Sequence, residues 1–203
     1  MNGIDDAVSA MAASRDRLDA ATHDLANGGS DGFHGSVVRA RMTAHGLATQ
    51  RISDARQGVL RATGRPYDLA LVGAGAFRVL APGPHAHPVA SRDGAFVRDR
   101  FGHLVDGQGR MLLGERGPVQ VGERAELRTD GAVLEDGRVV ARIPLHPGTQ
   151  LRQGFVEGSN VDGVARMMDV IDAQRSFESA QKVLSAVDET RRKAANETGQ
   201  VKG

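Results

Sequence analysis

The first residues of the chain carry apolar side chains at positions whose spacing alternates between three and four. The repeat occupies Ile4, Val8, Met11, Leu18 and Leu25, with Arg15 and Thr22 at the intervening positions. Such a heptad repeat predicts a helix with a single apolar seam, as in a coiled coil. Asn27-Gly28-Gly29 supplies a stop signal, so we predict an N-terminal helix over residues 1–27. At about 1.5 Å per residue, the part of this helix from Ile4 to Asn27 would be roughly 36 Å long.

A second helical pattern closes the chain, where no proline follows Pro147. We predict a C-terminal helix and tail over residues 153–203, with Ser159 or Asn160 as the cap at its start. The apolar face of this helix consists of Met167, Val170, Phe177, Ala180, Leu184 and Val187, widened by Val164, Met168, Ile171 and Val183. Both ends of the chain therefore carry an apolar stripe at helical spacing.

The residues between the helices follow a different pattern. Short runs typical of strands cover residues 69–72, 77–80, 96–97, 104–105, 111–113 and 139–143. Asp-Gly pairs lie between them, at Asp93-Gly94, Asp106-Gly107, Asp130-Gly131 and Asp136-Gly137. Such pairs favour type I′ hairpin turns, because both residues tolerate a positive φ. We predict an antiparallel β domain over residues 65–152, preceded by an extended, bridging segment over 28–64.

The predicted fold class is α+β, with the N- and C-terminal helices pairing as a coiled coil and a small antiparallel β domain between them. Each seam would bury about half a dozen aliphatic side chains, at about 1.5–3 kcal/mol each. Ordering the backbone costs about 1–2 kcal/mol per residue, so one such helix alone stays mostly unfolded. We therefore expect the two ends to pair and to become ordered when copies assemble.

Composition narrows the possible partners. Aromatic residues make up 3% of the chain, tryptophan and cysteine are absent, and the net charge is +1. We therefore expect no disulfide and no general attraction to nucleic acid. No run of about 18 apolar residues predicts membrane insertion. The start of the chain lacks a basic region followed by an apolar stretch, so we expect export, if any, without a cleaved signal peptide.

Candidate chemical motifs are weak. Gly73-Ala74-Gly75-Ala76-Phe77-Arg78 begins like a dinucleotide fingerprint, but its third glycine position is Arg78 and no helix pattern follows, which favours a turn. His85 and His87 could bind a metal, but three prolines surround them and favour a polar loop. The basic Arg191-Arg192-Lys193 run suits a helix C-terminus as well as phosphate. We predict no catalytic residues, no cofactor and no metal, and so no enzyme.

Several blocks of sequence resemble the axial proteins of the bacterial flagellum, in the rod and hook–basal-body group. Leu25-Ala26-Asn27 and Gly32-Phe33 are similar to the family's "NNLAN" and "TGF", with His23 and Asp24 in place of the paired asparagines. The β domain contains blocks similar to "G.PLDLAI.G.GFF" at Gly64–Phe77 and "TRDGSF" at Ser91–Phe96. Gly154–Val161 resembles "G.LEGSNV", and Met167–Glu178 resembles "EMV.MI.AQRAYE". The blocks follow the family's order over nearly the whole chain.

The resemblance implies a structural subunit of the basal-body rod. Such a protein would leave the cell through the flagellar type III export apparatus and assemble helically, through its terminal helices, into the torque-transmitting drive shaft in the periplasm. Its partners would be further copies of itself and other rod and hook proteins. The segment from Asn27 to about Arg51 would bridge neighbouring subunits. The subclass stays open between a distal rod protein, a proximal rod protein and a related hook–basal-body protein.

The expected assembly interface combines both seams with the end of the first helix. Its members are Ile4, Val8, Met11, Leu18, Leu25, Asn27, Phe33, Met167, Val170, Ile171, Phe177, Leu184 and Val187. An alternative from a different class is a secreted or soluble β-domain binding module with a homo-oligomeric coiled coil, which would form a closed oligomer of fixed size.

Overall fold

The computed structural model describes residues 3–43, 46–83 and 86–200. Two helices flank a β-rich region, as the hydrophobic pattern predicted. The chain divides into two compact units. The helical unit comprises Met1–Ala26, Ser36–Asp54 and Asp162–Gly203, and the β unit comprises Asn27–Gly35 and Ala55–Val161.

The helical unit contains both helices and one hairpin. Helix α1 spans Gly3–Ala26 and α2 spans Gly163–Gln200, and the antiparallel strands β1 and β2 span Ser36–Thr43 and Gly46–Ser53. Helix α1 packs against α2 and against both strands. The Arg166 guanidinium in the first turn of α2 lies 3.9 Å from the Asp24 carboxylate near the end of α1, so the helices run antiparallel. The hairpin lies within the segment predicted to be extended and bridging, and its pairing was not predicted.

The start of α2 differs from the prediction. Asp162 caps the helix, because its Oδ1 accepts hydrogen bonds from the backbone N–H groups of Val164 and Ala165 at 3.0 and 3.1 Å. The prediction of Ser159 or Asn160 as the cap is therefore wrong. Asn160 instead joins segments of the β unit: it accepts from the Gly35 N–H at 2.8 Å and donates to the Arg56 carbonyl at 2.7 Å.

The β unit is built from short antiparallel strands. They are β3 (Leu60–Ala62), β4 (Leu69–Val72), β5 (Phe77–Leu80), β6 (Pro88–Ser91), β7 (Val97–Arg98), β8 (Leu104–Val105), β9 (Met111–Gly114), β10 (Gly117–Pro118), β11 (Glu126–Leu127), β12 (Ala132–Glu135), β13 (Arg138–Arg142), β14 (Gln150–Gln153) and β15 (Phe155–Glu157). One sheet has the order β6-β5-β9-β8-β7 with β10 beside β9, and a second has the order β11-β12-β13. Two further pairs, β14-β4 and β15-β3, join distant parts of the chain.

The core of the β unit is aliphatic with one aromatic pair. Phe77 and Phe96 meet edge to face, with ring centroids 5.4 Å apart. Around them lie the buried side chains Leu69, Leu71, Val79, Leu104, Leu112, Val119, Val121, Leu127, Val133, Ile143 and Leu151. The six predicted strands all occur within one residue of their predicted bounds. Six of the core residues, Leu69, Leu71, Phe77, Val79, Leu104 and Leu112, lie on these strands, whereas others such as Val119, Val121 and Leu151 lie outside them.

The prediction of type I′ turns at the Asp-Gly pairs is correct at one pair and wrong at the other three. Asp136 and Gly137 both have a positive φ, at 48° and 76°, and form the two-residue turn between β12 and β13. At the other three pairs the aspartate has no positive φ, so type I′ geometry is wrong there. Asp93, Asp106 and Asp130 instead use a side-chain oxygen to accept a backbone N–H two residues on. Each of these hydrogen bonds gives a backbone N–H group of the loop an acceptor without requiring a positive φ at the aspartate.

Gly94 lies so close to the backbone of Leu69 that the position leaves no room for a side chain. A methyl group on Gly94 would overlap the Leu69 carbonyl oxygen, whereas a methyl group on Gly107 would meet open space. We expect Gly94→Ala to lower the free energy of unfolding of the β unit by about 1–3 kcal/mol, because strands must move apart to admit the methyl. Urea titration followed by fluorescence of Tyr67, the single tyrosine in a chain without tryptophan, measures this unit.

Gly107→Ala is the matched control for Gly94→Ala, since it changes the same dipeptide in the same unit. Its free energy of unfolding should stay within about 0.5 kcal/mol of the parent. Equal stability of the two variants would contradict the close approach of Gly94 to Leu69.

Candidate functional site

The predicted interface residues are either exposed or half-buried in the structure. Val8, Met167 and Ile171 are exposed, at 51%, 59% and 48%. The others are half-buried: Ile4, Met11, Leu18, Leu25, Asn27, Phe33, Val170, Phe177, Leu184 and Val187. Asn27 and Phe33 belong to the β unit and the rest belong to the helical unit. On each helix, the residues predicted to form a single apolar stripe are therefore not equally buried, since some are exposed and others are half-buried.

On α1 the burial pattern selects a different register for the seam. The half-buried residues Ile4, Met11, Leu18 and Leu25 recur every seven positions, as predicted. Between them the buried positions are Ala7, Ser14 and Ala21, and the predicted intervening positions Val8, Arg15 and Thr22 are exposed. Ala13 and Ala20 are also buried. Small side chains let α1 pack closely against both α2 and the hairpin.

Two opposite faces of α2 carry apolar residues. The inner face is half-buried or buried and follows a heptad through Val170, Ala173, Phe177, Ala180, Leu184 and Val187. Val164, Met167, Met168 and Ile171, which we call the outer patch, are between 48% and 72% exposed. At 3.6 residues per turn the outer patch lies on the side of α2 opposite the inner face. Four neighbouring exposed apolar side chains on one helix are typical of a protein interaction surface.

Asp24 is a buried anchor within the helical unit. Its side chain is fully buried, and Oδ2 accepts a hydrogen bond from the Ser36 N–H at 2.8 Å. The Ser36 hydroxyl donates to Oδ1 at 3.2 Å, and Arg51 Nη2 also donates to Oδ1 at 3.2 Å. Arg166 lies 3.9 Å from Oδ2 and donates to the Ser36 carbonyl at 3.3 Å. One carboxylate thus ties α1 to the hairpin and to the start of α2.

Glu157 is a second buried anchor, within the β unit. Its side chain is fully buried, and Oε1 accepts from the Gly58 N–H at 2.9 Å and contacts His34 Nε2 at 2.8 Å. Arg92 Nη1 lies 3.2 Å from Oε2. The Oε2 atom makes no aligned hydrogen bond. The Arg92 side chain is itself 9% exposed and donates to the carbonyls of Leu71 and Gly73. Glu157 therefore balances an arginine that is otherwise held by backbone carbonyls.

Three separate sequence motifs meet at Glu157. Gly32, from the block after the first helix, has a φ of 67° and donates its N–H to the Glu157 carbonyl at 2.6 Å. A side chain on Gly32 would overlap the backbone of Arg92 and Asp93. Burial raises the pKa of the Asp93 carboxyl above its ordinary value, and the charges of Asp106 and Asp31 act in the same direction. The blocks around residues 32, 92 and 157 thus form one structural site.

Sequence reasoning missed these two carboxylate sites. Asp24 and Glu157 were read as parts of motifs, and no pattern of spacing linked them to Ser36, Arg51 or Arg92. The available signal was a charged residue embedded in a block of small and apolar residues. That signal identifies a candidate for burial, but it does not identify the partners, which lie far along the chain, as with His34 and Glu157, which are 123 residues apart.

The candidate chemical motifs resolve into loops and turns. Gly73 and Gly75 both have positive φ and connect β4 directly to β5, which confirms the turn interpretation of this segment. His85 lies outside the described residues, so the histidine pair is not seen together. Among residues 3–43, 46–83 and 86–200, no three potential ligand side chains gather as a metal site would require. In the same residues neither helix is long and apolar enough to cross a membrane.

These features define a class of protein that acts through its surfaces. The charged groups with the deepest burial serve structural roles, and four exposed apolar side chains lie next to one another on α2. Such an arrangement is typical of a subunit that functions by packing against other proteins.

Comparison with known proteins identifies the family. Residues 152–197 match the model described as flagellar basal body rod FlgEFG protein C-terminal. The chain is 31% identical to the flagellar basal-body rod protein FlgF of Caulobacter vibrioides, over 71% of each chain. It is 28% identical to FlgF of Mesorhizobium japonicum, over 85% of this chain and 88% of that protein. The rod protein FlgG of Borreliella burgdorferi is 30% identical over 70% of this chain and 67% of its own length.

The chain belongs to the family of flagellar basal-body rod proteins, and its role is that of a structural subunit of the basal body.

Proposed function

We propose that this rod subunit assembles helically through its terminal helices, which pair as a coiled coil and pack beside those of neighbouring copies. The outer patch is the observation that carries the proposal. Its four apolar side chains remain exposed after α1 has covered the opposite face of α2. Burial of Val164, Met167, Met168 and Ile171 between subunits would contribute about 1.5–3 kcal/mol for each fully buried side chain. Repeated in every subunit, this contact would give a stiff tube that transmits torque.

Other parts of the proposal follow from family membership. The relatives are named as basal-body rod proteins, which supports contacts with further rod and hook proteins and a non-enzymatic role. We include passage through the flagellar type III export apparatus without a cleaved signal peptide, and a position in the periplasmic rod. Within the subunit, the bridging role belongs to residues 28–64, which contain the β1–β2 hairpin and the loop that packs on Glu157.

A substitution in the outer patch separates assembly from folding. Ile171 is 48% exposed, so Ile171→Asp should change the free energy of unfolding of the purified monomer by no more than about 0.5 kcal/mol. In the assembled rod the same aspartate would lose its water, which is costly for an unpaired charge. We expect gene replacement with Ile171→Asp to abolish swimming and to leave basal bodies that lack a completed rod in electron micrographs.

The control for Ile171→Asp is Gln174→Asp, which adds the same charge at a polar position that is already exposed. Gln174→Asp should swim normally. Full motility of Ile171→Asp would contradict assembly through the outer patch. A purified parent protein that forms only a closed oligomer of fixed size would favour the alternative of a binding module.

A further inference from the structure

Methionine carries all of the sulfur in this chain. The sequence contains six methionines and no cysteine, so the thioether is the only sulfur group that a peroxide can oxidise. Of the five methionines among the described residues, Met11 and Met111 are half-buried. Met42, Met167 and Met168 are 64%, 59% and 62% exposed. A small oxidant in solution therefore has access to three thioethers of the folded subunit.

Two of these exposed methionines belong to the outer patch and make up half of its side chains. At about 100° per residue, Met167 and Met168 lie about 50° to either side of the line that joins Val164 and Ile171 along α2. A surface that covers Val164 and Ile171 therefore contacts a methionine on each side. Met42 lies on strand β1, outside the patch.

Oxidation by a peroxide changes the polarity of a methionine without adding charge. The sulfur attacks one oxygen of hydrogen peroxide, so that an S–O bond forms and the O–O bond breaks. The other oxygen takes up the remaining hydrogen and leaves as water. The sulfur is oxidised to a sulfoxide and the peroxide is reduced.

The outer patch has no means of pairing the new oxygen. A sulfoxide oxygen is a hydrogen-bond acceptor, and burying an acceptor without a donor is unfavourable. The valine, isoleucine and methionine side chains of the patch carry no hydrogen-bond donor. Each sulfoxide would therefore weaken a contact that depends on apolar burial.

We propose that a peroxide oxidises Met167 and Met168 of the unassembled subunit and that the two sulfoxides keep this subunit out of the rod. The proposal rests on assembly through the outer patch and adds a chemical control of that surface. In an assembled subunit a neighbour would cover both thioethers and shield them. Methionine sulfoxide reductases return the sulfoxide to the thioether, so the block is reversible.

Hydrogen peroxide treatment of the purified full chain tests the chemistry. Peptide mass spectrometry should show sulfoxide at Met42, Met167 and Met168 before it appears at Met11 and Met111. In basal bodies isolated from cells, the same treatment should leave Met167 and Met168 unmodified.

Gene replacement tests the consequence for assembly. Glutamine imitates the sulfoxide, because it is uncharged and presents an acceptor oxygen. The double variant Met167→Gln/Met168→Gln should unfold at the same urea concentration as the parent, since both positions are exposed. It should lose swimming and leave basal bodies without a completed rod. Met42→Gln is the matched control, because it makes the same change at an equally exposed methionine outside the patch, and it should swim.

A resistant variant connects the oxidant to the effect. When cells form new flagella in the presence of hydrogen peroxide, the parent should complete fewer rods than in its absence. Met167→Leu/Met168→Leu should complete as many rods as it does without peroxide, because leucine keeps the apolar volume and has no sulfur. Met42→Leu should remain as sensitive as the parent.

Four outcomes would overturn the proposal. They are oxidation of Met167 and Met168 no faster than that of Met11, swimming of the double glutamine variant, loss of swimming in Met42→Gln, and equal peroxide sensitivity of the parent and the double leucine variant. If the double glutamine variant swims while Ile171→Asp does not, assembly through the outer patch stands and only its control by oxidation fails. If both variants swim, the proposed assembly surface itself is wrong.

Discussion

Replacement of Glu157 by alanine is expected to lower the free energy of unfolding of the β unit by about 3–5 kcal/mol, the range for breaking a buried ion pair by removing one partner. The guanidinium of Arg92, which is 9% exposed, would lose the carboxylate that it pairs with and stay surrounded by protein. The Gly58 N–H would lose its acceptor, and so would His34. Urea titration followed by Tyr67 fluorescence measures the change.

Two controls separate the buried charge from general effects at Glu157. Glu126 is an exposed glutamate in the same unit, so Glu126→Ala should change stability by no more than about 0.5 kcal/mol. Glu157→Gln keeps an oxygen that can accept from the Gly58 N–H, and its loss should be smaller than that of Glu157→Ala. If Glu157→Ala is as stable as Glu126→Ala, the Glu157 carboxylate does not stabilise the site where the three sequence motifs meet.

The second large effect is expected at Asp24, in the helical unit. Asp24→Ala should lower the free energy of unfolding of this unit by about 3–4 kcal/mol, because the buried N–H and hydroxyl of Ser36 both lose their acceptor. The loss of charge contributes less, since Arg51 and Arg166 are 43% and 24% exposed and can be hydrated. The helical signal in far-ultraviolet circular dichroism, measured against urea concentration, follows this unit.

Asp19→Ala is the matched control for Asp24, since Asp19 is an exposed aspartate on the same helix. It should leave stability within about 0.5 kcal/mol of the parent. Asp24→Asn retains one acceptor oxygen for the Ser36 N–H and should lose less than the alanine variant. Asparagine is also the residue of the family pattern at this position. A larger loss for Asp24→Asn than for Asp24→Ala would contradict the hydrogen-bonding role.

Much of the architecture could be predicted because its signals are local. Strand positions such as Leu69–Val72 and Phe77–Leu80 followed directly from short apolar runs, and both helices followed from heptad spacing. The β1–β2 hairpin was not predicted. Its strands are mostly exposed and contain Arg39, Arg41 and Arg51, so they lack the clean apolar alternation that marks a half-buried strand. They form by pairing with each other and by packing on α1.

The anchors of the candidate site depended on information that no local window contains. Burying Asp24 or Glu157 is unfavourable by itself, so hydropathy predicts that each is exposed. Each becomes stable inside only because donors from several segments surround it, as with Gly58 and Arg92 around Glu157. The proposed assembly surface lies between these two cases. Its apolar residues could be predicted from the sequence, but the division of α2 into an inner face and an outer patch could not.

The sequence by itself determined where the helices and the main strands lie, the order of the units' segments, and the family, because periodicity and motif order are properties of the chain. Only the tertiary structure decided which neighbours of Met11 and Leu18 complete the seam. Hydrophobicity favours Val8, but close packing of α1 against two elements requires the smaller Ala7 and Ala21. The tertiary structure also decided that Asp24 and Glu157 are buried, because the free energy of a buried charge depends on partners that folding brings together.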